Sequence, residues 1–338
     1  MKLLILTQKV DKNDPILGFF HRWIEEFAKH CEKAIAICLQ KGEYNLPGNV
    51  KVLSLGKESG VSKLKYILNF FKYIWQERKN YNVVFVHMNQ EYVLLGGIFW
   101  RIWGKKIGLW YVHRQTNLKL WLAEKLVQVI FSSAPESFQI RSVKVKYVGH
   151  GIDRDIFKPS FPNGNGPIRF LYVGRITKIK NIDTIIRSIN GKPLTLVGEP
   201  ITKEDKKYKQ ELNNLAEETK AVLFWRGSVS NIKMPQIYAS HSISMNSTPD
   251  GGMDKAVLES LAVGTPVFTS NKAFVGLLGE QAHFFIYKYG DVEDLAKKLN
   301  SWLQNNHKFE IMERLSTKVR TEYSVEVVIS KITLNLNE

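Results

Sequence analysis

Cysteine is scarce in this 338-residue sequence, which contains only Cys31 and Cys38. Two cysteines cannot build the disulfide framework of a small secreted domain, and no histidine or acidic cluster around them has the spacing of a zinc site. We therefore expect a reduced pair of thiols and no bound metal.

Long apolar segments are also missing. The longest, residues 92–103, is shorter than the ~20 residues that cross a bilayer, and Lys105 and Lys106 follow it. The apolar residues 1–10 are too few for a convincing signal peptide, and we interpret them as a first β-strand. Internal repeats and low-complexity stretches are absent. These features favour a cytoplasmic globular protein with enough residues for two domains.

Acidic residues are few in the first half of the chain. The formal net charge is +16, of which residues 1–150 contribute +12 and residues 151–338 contribute +4. Residues 61–78 are predicted to form a helix with aromatic and basic side chains, which suits either a membrane interface or an ordinary core-facing helix. No zinc finger, RNP-like motif or recognition helix is present. We expect a peripheral contact with an anionic membrane and no nucleic-acid partner.

Apolar strands alternate with helices along the first half, which predicts an α/β fold with a parallel sheet. Val83–His87 and residues 107–113 are two such strands, and they end at His87 and His113. Side chains just beyond the carboxyl ends of parallel strands lie where open α/β sheets bind ligands. We therefore regard His113 as a ligand-site candidate, whereas His87 either shapes another part of the ligand site or packs in the core. Gly18 begins the first helix.

The clearest pattern of the second half lies in residues 243–270. A buried strand at 243–245 leads into a loop with Gly251 and Gly252, then a helix over about 254–263 and a strand at 266–269. This is a βαβ unit. Its glycines allow backbone N–H groups to approach an anion at the start of the helix, and Glu259 lies on the helix itself. The unit is suited to a nucleotide held by its phosphates and ribose.

A second strand-to-helix connection supplies positive charge. The predicted strand 168–173 ends at Gly174, and Arg175 and Lys180 precede a helix over 181–189. Arg can bind phosphate oxygens with two parallel hydrogen bonds, and Lys supplies a compact charge. The D-x-D sequence at Asp153 and Asp155 is interpreted as a turn rather than a metal site.

These motifs resemble those of the retaining glycosyltransferases of family 4 (glycosyl transferases group 1). The resemblance is carried by LESLAVGTPV at 258–267, by the G-R-x-x-x-x-K spacing of Gly174, Arg175 and Lys180, and by the stretch 147–160. It implies a GT-B fold, in which two Rossmann-like domains face each other across a cleft. The family pattern has a second Glu where this chain has Gly251, and Asp250 lies beside it.

The resemblance implies a role for each candidate residue. The catalytic candidates are His113 for the donor sugar, Arg175 and Lys180 for the diphosphate, and Glu259 for the ribose. The donor-binding candidates are Gly18, Gly174, Gly198, Arg226, Gly227, Asp250, Gly251, Gly252, Met253, Asp254 and Lys255. No cofactor is expected beyond the nucleotide diphosphate sugar itself, which is the donor substrate.

We predict an acceptor-binding domain over residues 1–160 and a nucleotide-sugar-binding domain over 161–319, joined by a linker at 159–167. A strand is expected at 283–287. One last helix over about 311–334 is expected to cross back onto the first domain from about 320. The predicted activity is metal-independent transfer of a sugar to a glycan or lipid-linked acceptor, as in cell-surface polysaccharide assembly. A non-catalytic sugar-nucleotide or glycan-binding protein, a GT-B-fold epimerase and a basic nucleic-acid-binding protein remain alternatives.

Overall fold

The computed structural model describes residues 1–161 and 166–338 and divides them into two compact units. Unit 1 comprises Met1–Gly151 and Val325–Glu338, and unit 2 comprises Ile152–Ser324. No helix in the described ranges combines the length and hydropathy needed to span a bilayer.

Unit 1 is built on a seven-stranded parallel sheet of order β3-β2-β1-β4-β5-β6-β7. Its strands are β1 (Lys2–Val10), β2 (Lys33–Lys41), β3 (Val50–Ser54), β4 (Val83–His87), β5 (Lys106–Trp110), β6 (Val129–Ser132) and β7 (Val145–Tyr147). Its helices are α1 (Phe19–Lys29), α2 (Lys63–Gln76), α3 (Gln90–Ile102), α4 (Leu118–Leu126) and α13 (Val325–Asn337). Helices α1 and α13 share one hydrophobic core, and α2, α3 and α4 share the other.

Unit 2 has a five-stranded parallel sheet of order β10-β9-β8-β11-β12. Its strands are β8 (Phe170–Val173), β9 (Leu194–Val197), β10 (Leu223–Gly227), β11 (Ile243–Asn246) and β12 (Val267–Thr269). Its helices are α5 (Ile182–Ser188), α6 (Lys203–Thr219), α7 (Met234–Ala239), α8 (Lys255–Val263), α9 (Val275–Leu278), α10 (Ala282–Phe285), α11 (Val292–Leu303) and α12 (Lys308–Glu322).

Both sheets reverse their strand order in the middle. The neighbours β1 and β4 in unit 1, and β8 and β11 in unit 2, are not consecutive in sequence. At such a switch point the loops leave adjacent strands in opposite directions and open a crevice beyond the strand ends. Each unit therefore has a place where a ligand can reach backbone and side chains.

Two predicted elements are wrong. The segment 283–287 contains the end of α10 and only an isolated bridge between Ile286 and Thr269, because Phe285 packs against Trp302 from a short helix. The last helix is interrupted at Tyr323 and Ser324, between α12 and α13. The carbonyl of Tyr323 accepts from the backbone N–H of Ile152 (2.9 Å), so it does not continue the helical hydrogen bonding.

The boundaries of the two units also differ from those of the predicted domains. Residues 152–160 belong to unit 2, where Phe157 is fully buried near Tyr238 and the N–H of Ser160 donates to the carbonyl of Val263 (2.7 Å). The return to unit 1 occurs at Val325 rather than at about 320. Residues 162–165 of the predicted linker lie outside the described residues.

Candidate functional site

Three glycines mark the carboxyl edge of the unit 2 sheet. Gly174 follows β8, Gly198 follows β9, and Gly227 ends β10. Gly198 has a φ of +130°, its N–H donates to the carbonyl of Gly227 (2.8 Å), and a Cβ at Gly198 would collide with the carbonyl oxygen of Gly174. Only glycine satisfies this packing, and the edge it forms is bare backbone that a ligand can approach closely.

Lys180 lies across the switch point from its own strand. It follows β8, but its Nζ donates to Asp254 Oδ1 (3.0 Å) and to Thr248 Oγ1 (3.1 Å), both beyond the end of β11. The other oxygen of Asp254 accepts from Asn246 Nδ2 (3.0 Å), and Asn246 Oδ1 accepts from Thr269 (2.8 Å). The ammonium group is therefore fixed at the crevice by a chain of side chains from two neighbouring strands.

Asp254, a predicted donor-binding residue, contacts side chains of the site and does not cap the helix that follows it. It occupies the position before α8, but its carboxylate makes no capping hydrogen bond to the helix. Both of its oxygens are directed to Asn246 and Lys180 instead. Asp254 is thus a positioning group for Lys180.

Glu259 is buried on α8 with 5% of its surface exposed. Its Oε1 pairs with Lys255 Nζ one helical turn earlier (2.9 Å), and its Oε2 accepts from the Tyr238 hydroxyl (3.1 Å). Burial, together with the Glu259 carboxylate, holds the pKa of Tyr238 well above its usual value, so Tyr238 acts as the donor. Lys255 also donates to Asn231 Oδ1 (3.3 Å).

The loop before α8 is held by Asn271, which is fully buried. Asn271 Oδ1 accepts from the N–H of Gly251 (3.3 Å), and its Nδ2 donates to the carbonyl of Gly252 (2.9 Å). The carboxylate of Asp250 accepts from the backbone N–H of Lys272 (2.8 Å). Met253 is buried in the same loop. The N–H of Gly251, which was expected to approach an anion, is therefore directed to a side chain in this structure.

Two arginines remain exposed at this edge. Arg175 directly follows Gly174, and Arg226 lies near the end of β10. The guanidinium of Arg175 has no hydrogen-bond or ion-pair partner within the described part of the chain. It is an exposed cation that follows the end of β8, five residues before Lys180.

The unit 1 candidates lie at the carboxyl edge of the other sheet. His113 is exposed beyond β5, and its ring meets that of Tyr111 edge-on at 5.7 Å between centroids. Gly18 precedes α1, and a Cβ there would press on the carbonyl oxygens of Asp14 and Lys12. Because this position is crowded by backbone, a packing requirement is sufficient to explain Gly18.

His87 is a core residue. It is buried, stacks on Phe20 with 3.9 Å between ring centroids, and places Nδ1 3.3 Å from Thr7 Oγ1. Burial lowers the pKa of His87 to about 3, with smaller contributions from His150 and His113. The imidazole is therefore neutral at physiological pH. Of the two roles that the sequence left open for His87, the structure shows packing in the core.

The sequence motifs did not identify several residues that build the site. They are Asn231, Tyr238, Asn246, Thr248, Thr269 and Asn271. A usable signal existed for Asn246 and Thr269, because each is a polar residue at the carboxyl end of a buried strand adjoining the switch point. Tyr238 lies on α7, and no local pattern connects it with Glu259.

Two α/β units, each built on a parallel sheet whose strand order reverses, form the fold of the GT-B class. The solved structures show the same architecture. HepE from Anabaena in complex with UDP matches with a TM-score of 0.79 at 15% identity, covering 100% of both chains. Sucrose-phosphate synthase from Thermosynechococcus elongatus matches with a TM-score of 0.77 at 13% identity, covering 100% of this chain and 98% of the other.

The family follows from the sequence of unit 2. The model of the family "Glycosyl transferases group 1" matches residues 153–322, and the chain belongs to this family. Sulfoquinovosyl transferase SQD2 from Arabidopsis thaliana is 24% identical over 240 residues. That alignment covers 66% of this chain but only 44% of SQD2, so the chain spans less than half of this curated relative.

Proposed function

We propose that this protein transfers a sugar from a nucleoside diphosphate sugar to a hydroxyl group of a glycan or lipid-linked acceptor. The observation that carries the proposal is that Asp254 holds Lys180 at the switch point of unit 2, directly before the helix that bears Glu259 and near strand ends of bare glycine backbone. Family membership and the UDP and UDP-glucose complexes of HepE support a donor of the UDP class.

Glu259 would bind the ribose hydroxyls. Each carboxylate oxygen has two lone-pair directions, so Oε1 and Oε2 can keep Lys255 and Tyr238 and still accept from a ribose O–H. The pair of donors also holds the carboxylate in one orientation before the nucleotide arrives. This preorganisation lowers the entropic cost of binding.

Arg175 and Lys180 would hold the diphosphate, assisted by the amino end of α8. Negative charge grows on the leaving phosphate as the glycosidic bond to it breaks, and cations fixed in advance stabilise that charge in the transition state. Because these groups already supply positive charge, we propose that transfer needs no divalent metal. Undiminished turnover in a chelator is the expected result.

We further propose that the anomeric configuration is retained by a front-face substitution. The bond from the anomeric carbon to the phosphate oxygen breaks, and the acceptor oxygen bonds to the same face. The acceptor proton passes to the departing phosphate. This scheme needs no protein nucleophile, and His113 would orient the donor sugar.

The loop 250–255 would set the choice of sugar. Gly251 stands where the family pattern has Glu, which removes one carboxylate from the sugar side. Asp250 is adjacent but is held by Lys272. We therefore propose a donor sugar that is recognised mainly by backbone and by Met253, and not by a carboxylate at position 251.

The acceptor would bind to unit 1. The +12 charge of residues 1–150 favours an anionic or lipid-linked glycan at the cytoplasmic face of a membrane, as in assembly of cell-surface polysaccharide or glycolipid.

One observation favours a second function. With Gly251 in place of Glu, the chain could bind a sugar nucleotide without transferring the sugar. An epimerase of the same fold would need a pair of catalytic groups, and we assign none among the described residues.

A nucleotide screen tests the proposal. Thermal shift and calorimetry would be measured with UDP, GDP and ADP and their sugars, on the unaltered chain and on Glu259→Gln. We expect one diphosphate to stabilise the protein and Glu259→Gln to weaken its binding by roughly 10- to 100-fold, since a charged hydrogen bond to ribose is lost.

Glu218→Gln, the same change at an exposed position of α6, is the matched control and should bind normally. If no nucleotide raises the melting temperature, the nucleotide site is refuted. Binding without donor hydrolysis or transfer would instead establish the non-catalytic function.

A further inference from the structure

The outer surface of α2, α3 and α4 in unit 1 is unusually apolar, and we name it the three-helix face. Ten large apolar side chains that are exposed in the described chain lie on these helices. They are Leu64, Ile67, Leu68 and Trp75 on α2, Ile98, Phe99 and Ile102 on α3, and Leu118, Trp121 and Leu122 on α4. Ile102 is 75% exposed and Leu118 is 72% exposed. Exposed apolar patches that extend over several elements mark interaction surfaces.

The three helices form one continuous surface. Between α2 and α3, Phe71 meets Phe99 and Trp75 meets Trp103, each pair with 5.7 Å between ring centroids. Between α3 and α4, Arg101 donates to the carbonyl of Leu126 (3.3 Å). The exposed apolar side chains therefore belong to a single layer that covers one side of the unit 1 sheet.

The same face is basic and has little exposed acid. Six cations on or directly after α2 and α3 form no ion pair with any described carboxylate: Lys63, Lys65, Lys72, Arg78, Lys79 and Arg101. Two of the nearby acids are buried: Glu77 pairs with Lys51, and Glu124 pairs with Lys125 and Lys144. Glu91 pairs with Lys119 (3.2 Å). The exposed charge is thus almost entirely positive.

Aromatic and cationic groups are combined on this face. The Arg78 guanidinium lies 4.2 Å from the centroid of the Trp75 ring, and the Lys125 ammonium lies 5.3 Å from the centroid of Trp121. Both tryptophans are about half exposed. Tryptophan beside Lys or Arg suits the boundary between headgroups and acyl chains, where the ring is half immersed and the cation meets phosphate.

We propose that the three-helix face binds the surface of a bilayer that contains anionic lipids. Apolar side chains would enter the headgroup boundary, and the unpaired lysines and arginines would contact lipid phosphates. A second copy docking face to face would bring the two sets of cations together, which like-charge repulsion disfavours. A nucleic acid would leave Leu64, Ile98 and Ile102 without apolar contact. The inference goes beyond sugar transfer, because it holds whether or not the protein is a transferase.

Vesicle sedimentation of the full chain tests this proposal. Vesicles of phosphatidylglycerol and phosphatidylcholine in equal parts are compared with phosphatidylcholine alone, at low and high salt. We expect binding to the mixed vesicles only, weakened by salt. Ile98→Ser with Ile102→Ser should weaken it by roughly tenfold or more, because two side chains no longer enter the membrane. Lys63→Gln, Lys65→Gln and Lys72→Gln together should have a similar effect.

Matched controls carry the same changes in unit 2. Ile201→Ser with Val222→Ser removes two comparably exposed apolar side chains, and Lys203→Gln, Lys206→Gln and Lys207→Gln on α6 removes the same net charge. Both should bind vesicles within about twofold of the unaltered chain. The proposal is overturned by no sedimentation with mixed vesicles at low salt, by equal binding to neutral vesicles, or by equal losses in the controls. It is also overturned if the Ile98 and Ile102 changes abolish a dimer in sedimentation velocity and leave vesicle binding unchanged.

Discussion

The ammonium group of Lys180 is held between Asp254 and Thr248, and this contact defines what the altered loop does in this chain. A lysine side chain has four rotatable bonds, and fixing its end in advance reduces the entropy lost when a phosphate binds. The loop has no Glu at position 251, but Asp254 gives it a carboxylate that orients a cation. We propose that Asp254 acts through Lys180, because both of its oxygens are already engaged by Lys180 and Asn246.

Asp254→Asn tests this positioning role. The Asp254 carboxylate accepts one hydrogen bond from Lys180 and one from Asn246, but an asparagine amide has a single acceptor oxygen. Its nitrogen would face one of the two donors, so one of these hydrogen bonds is lost. We expect the affinity for the nucleoside diphosphate to fall by about tenfold, or ~1.4 kcal/mol, with the fold intact. Isothermal titration calorimetry measures this directly.

Asp250→Asn is the control for that change. Its remaining carbonyl oxygen can still accept from the N–H of Lys272, so nucleotide affinity should be nearly unchanged. An equal loss in both variants would show that net loop charge, and not the orientation of Lys180, governs binding. A gain in affinity for Asp254→Asn would mean that Asp254 competes with the phosphate for the ammonium group.

Single residues could be proposed from the sequence where their type and spacing suggest a chemistry. Glu259, Arg175 and Lys180 stand in a recognisable spacing, and the structure brings Lys180 to the same switch point as the loop before Glu259's helix. Tyr238 and Asn271 could not be found in this way. Their roles depend on packing between α7 and α8 and between two loops, and these contacts are set by the tertiary fold rather than by neighbours in sequence.

Elements were predicted best where burial imposes a simple period. β4 occupies the predicted residues, because Val83–His87 is a continuous apolar run that is buried throughout. The strand predicted at 283–287 is wrong, because the sequence pattern there is ambiguous. A short apolar run fits a buried strand or a buried helical turn equally well, and only the contacts of Phe285 decide between them.

The strand ends of unit 2 also depend on an interaction between elements. Gly198 follows β9 with a φ of +130° and lies against the carbonyl of Gly174 after β8, so the two strand ends can only come this close without a side chain. Gly198→Ala should lower the free energy of unfolding of unit 2 by more than about 2 kcal/mol, from backbone strain and collision. It should also weaken nucleotide binding, because the edge must widen.

Gly276→Ala provides the comparison for this glycine. No atom lies within 4 Å of a Cβ at Gly276, and its φ is not positive. Urea denaturation should show a change within about 0.5 kcal/mol for Gly276→Ala. If Gly198→Ala is equally mild, the close approach of β8 and β9 is not required for the fold.

The chain passes between the two units twice, so cleavage of a single peptide bond does not separate them. The chain leaves unit 1 after Gly151, builds unit 2, and returns at Val325 to complete unit 1 with α13. Val328, Ile329, Ile332 and Leu336 of that helix have at most 1% of their surface exposed in the core shared with α1. The Arg22 guanidinium adds an ion pair to Glu326 at 2.6 Å. The first unit therefore depends on the last residues of the described chain.

Ile332→Ala is expected to destabilise unit 1 by ~2–5 kcal/mol, because it leaves a cavity in a core that α13 fills. Leu334→Ala, two residues away on the same helix but 63% exposed, should change stability by less than about 0.5 kcal/mol. Tryptophan fluorescence during urea unfolding distinguishes the units, because six of the eight tryptophans lie in unit 1. The nucleotide affinity of Ile332→Ala should be unchanged in the absence of urea.

If the fluorescence transition does not move while Leu334→Ala behaves as expected, α13 is not an essential part of the unit 1 core, and the first unit would be stable without the returning helix.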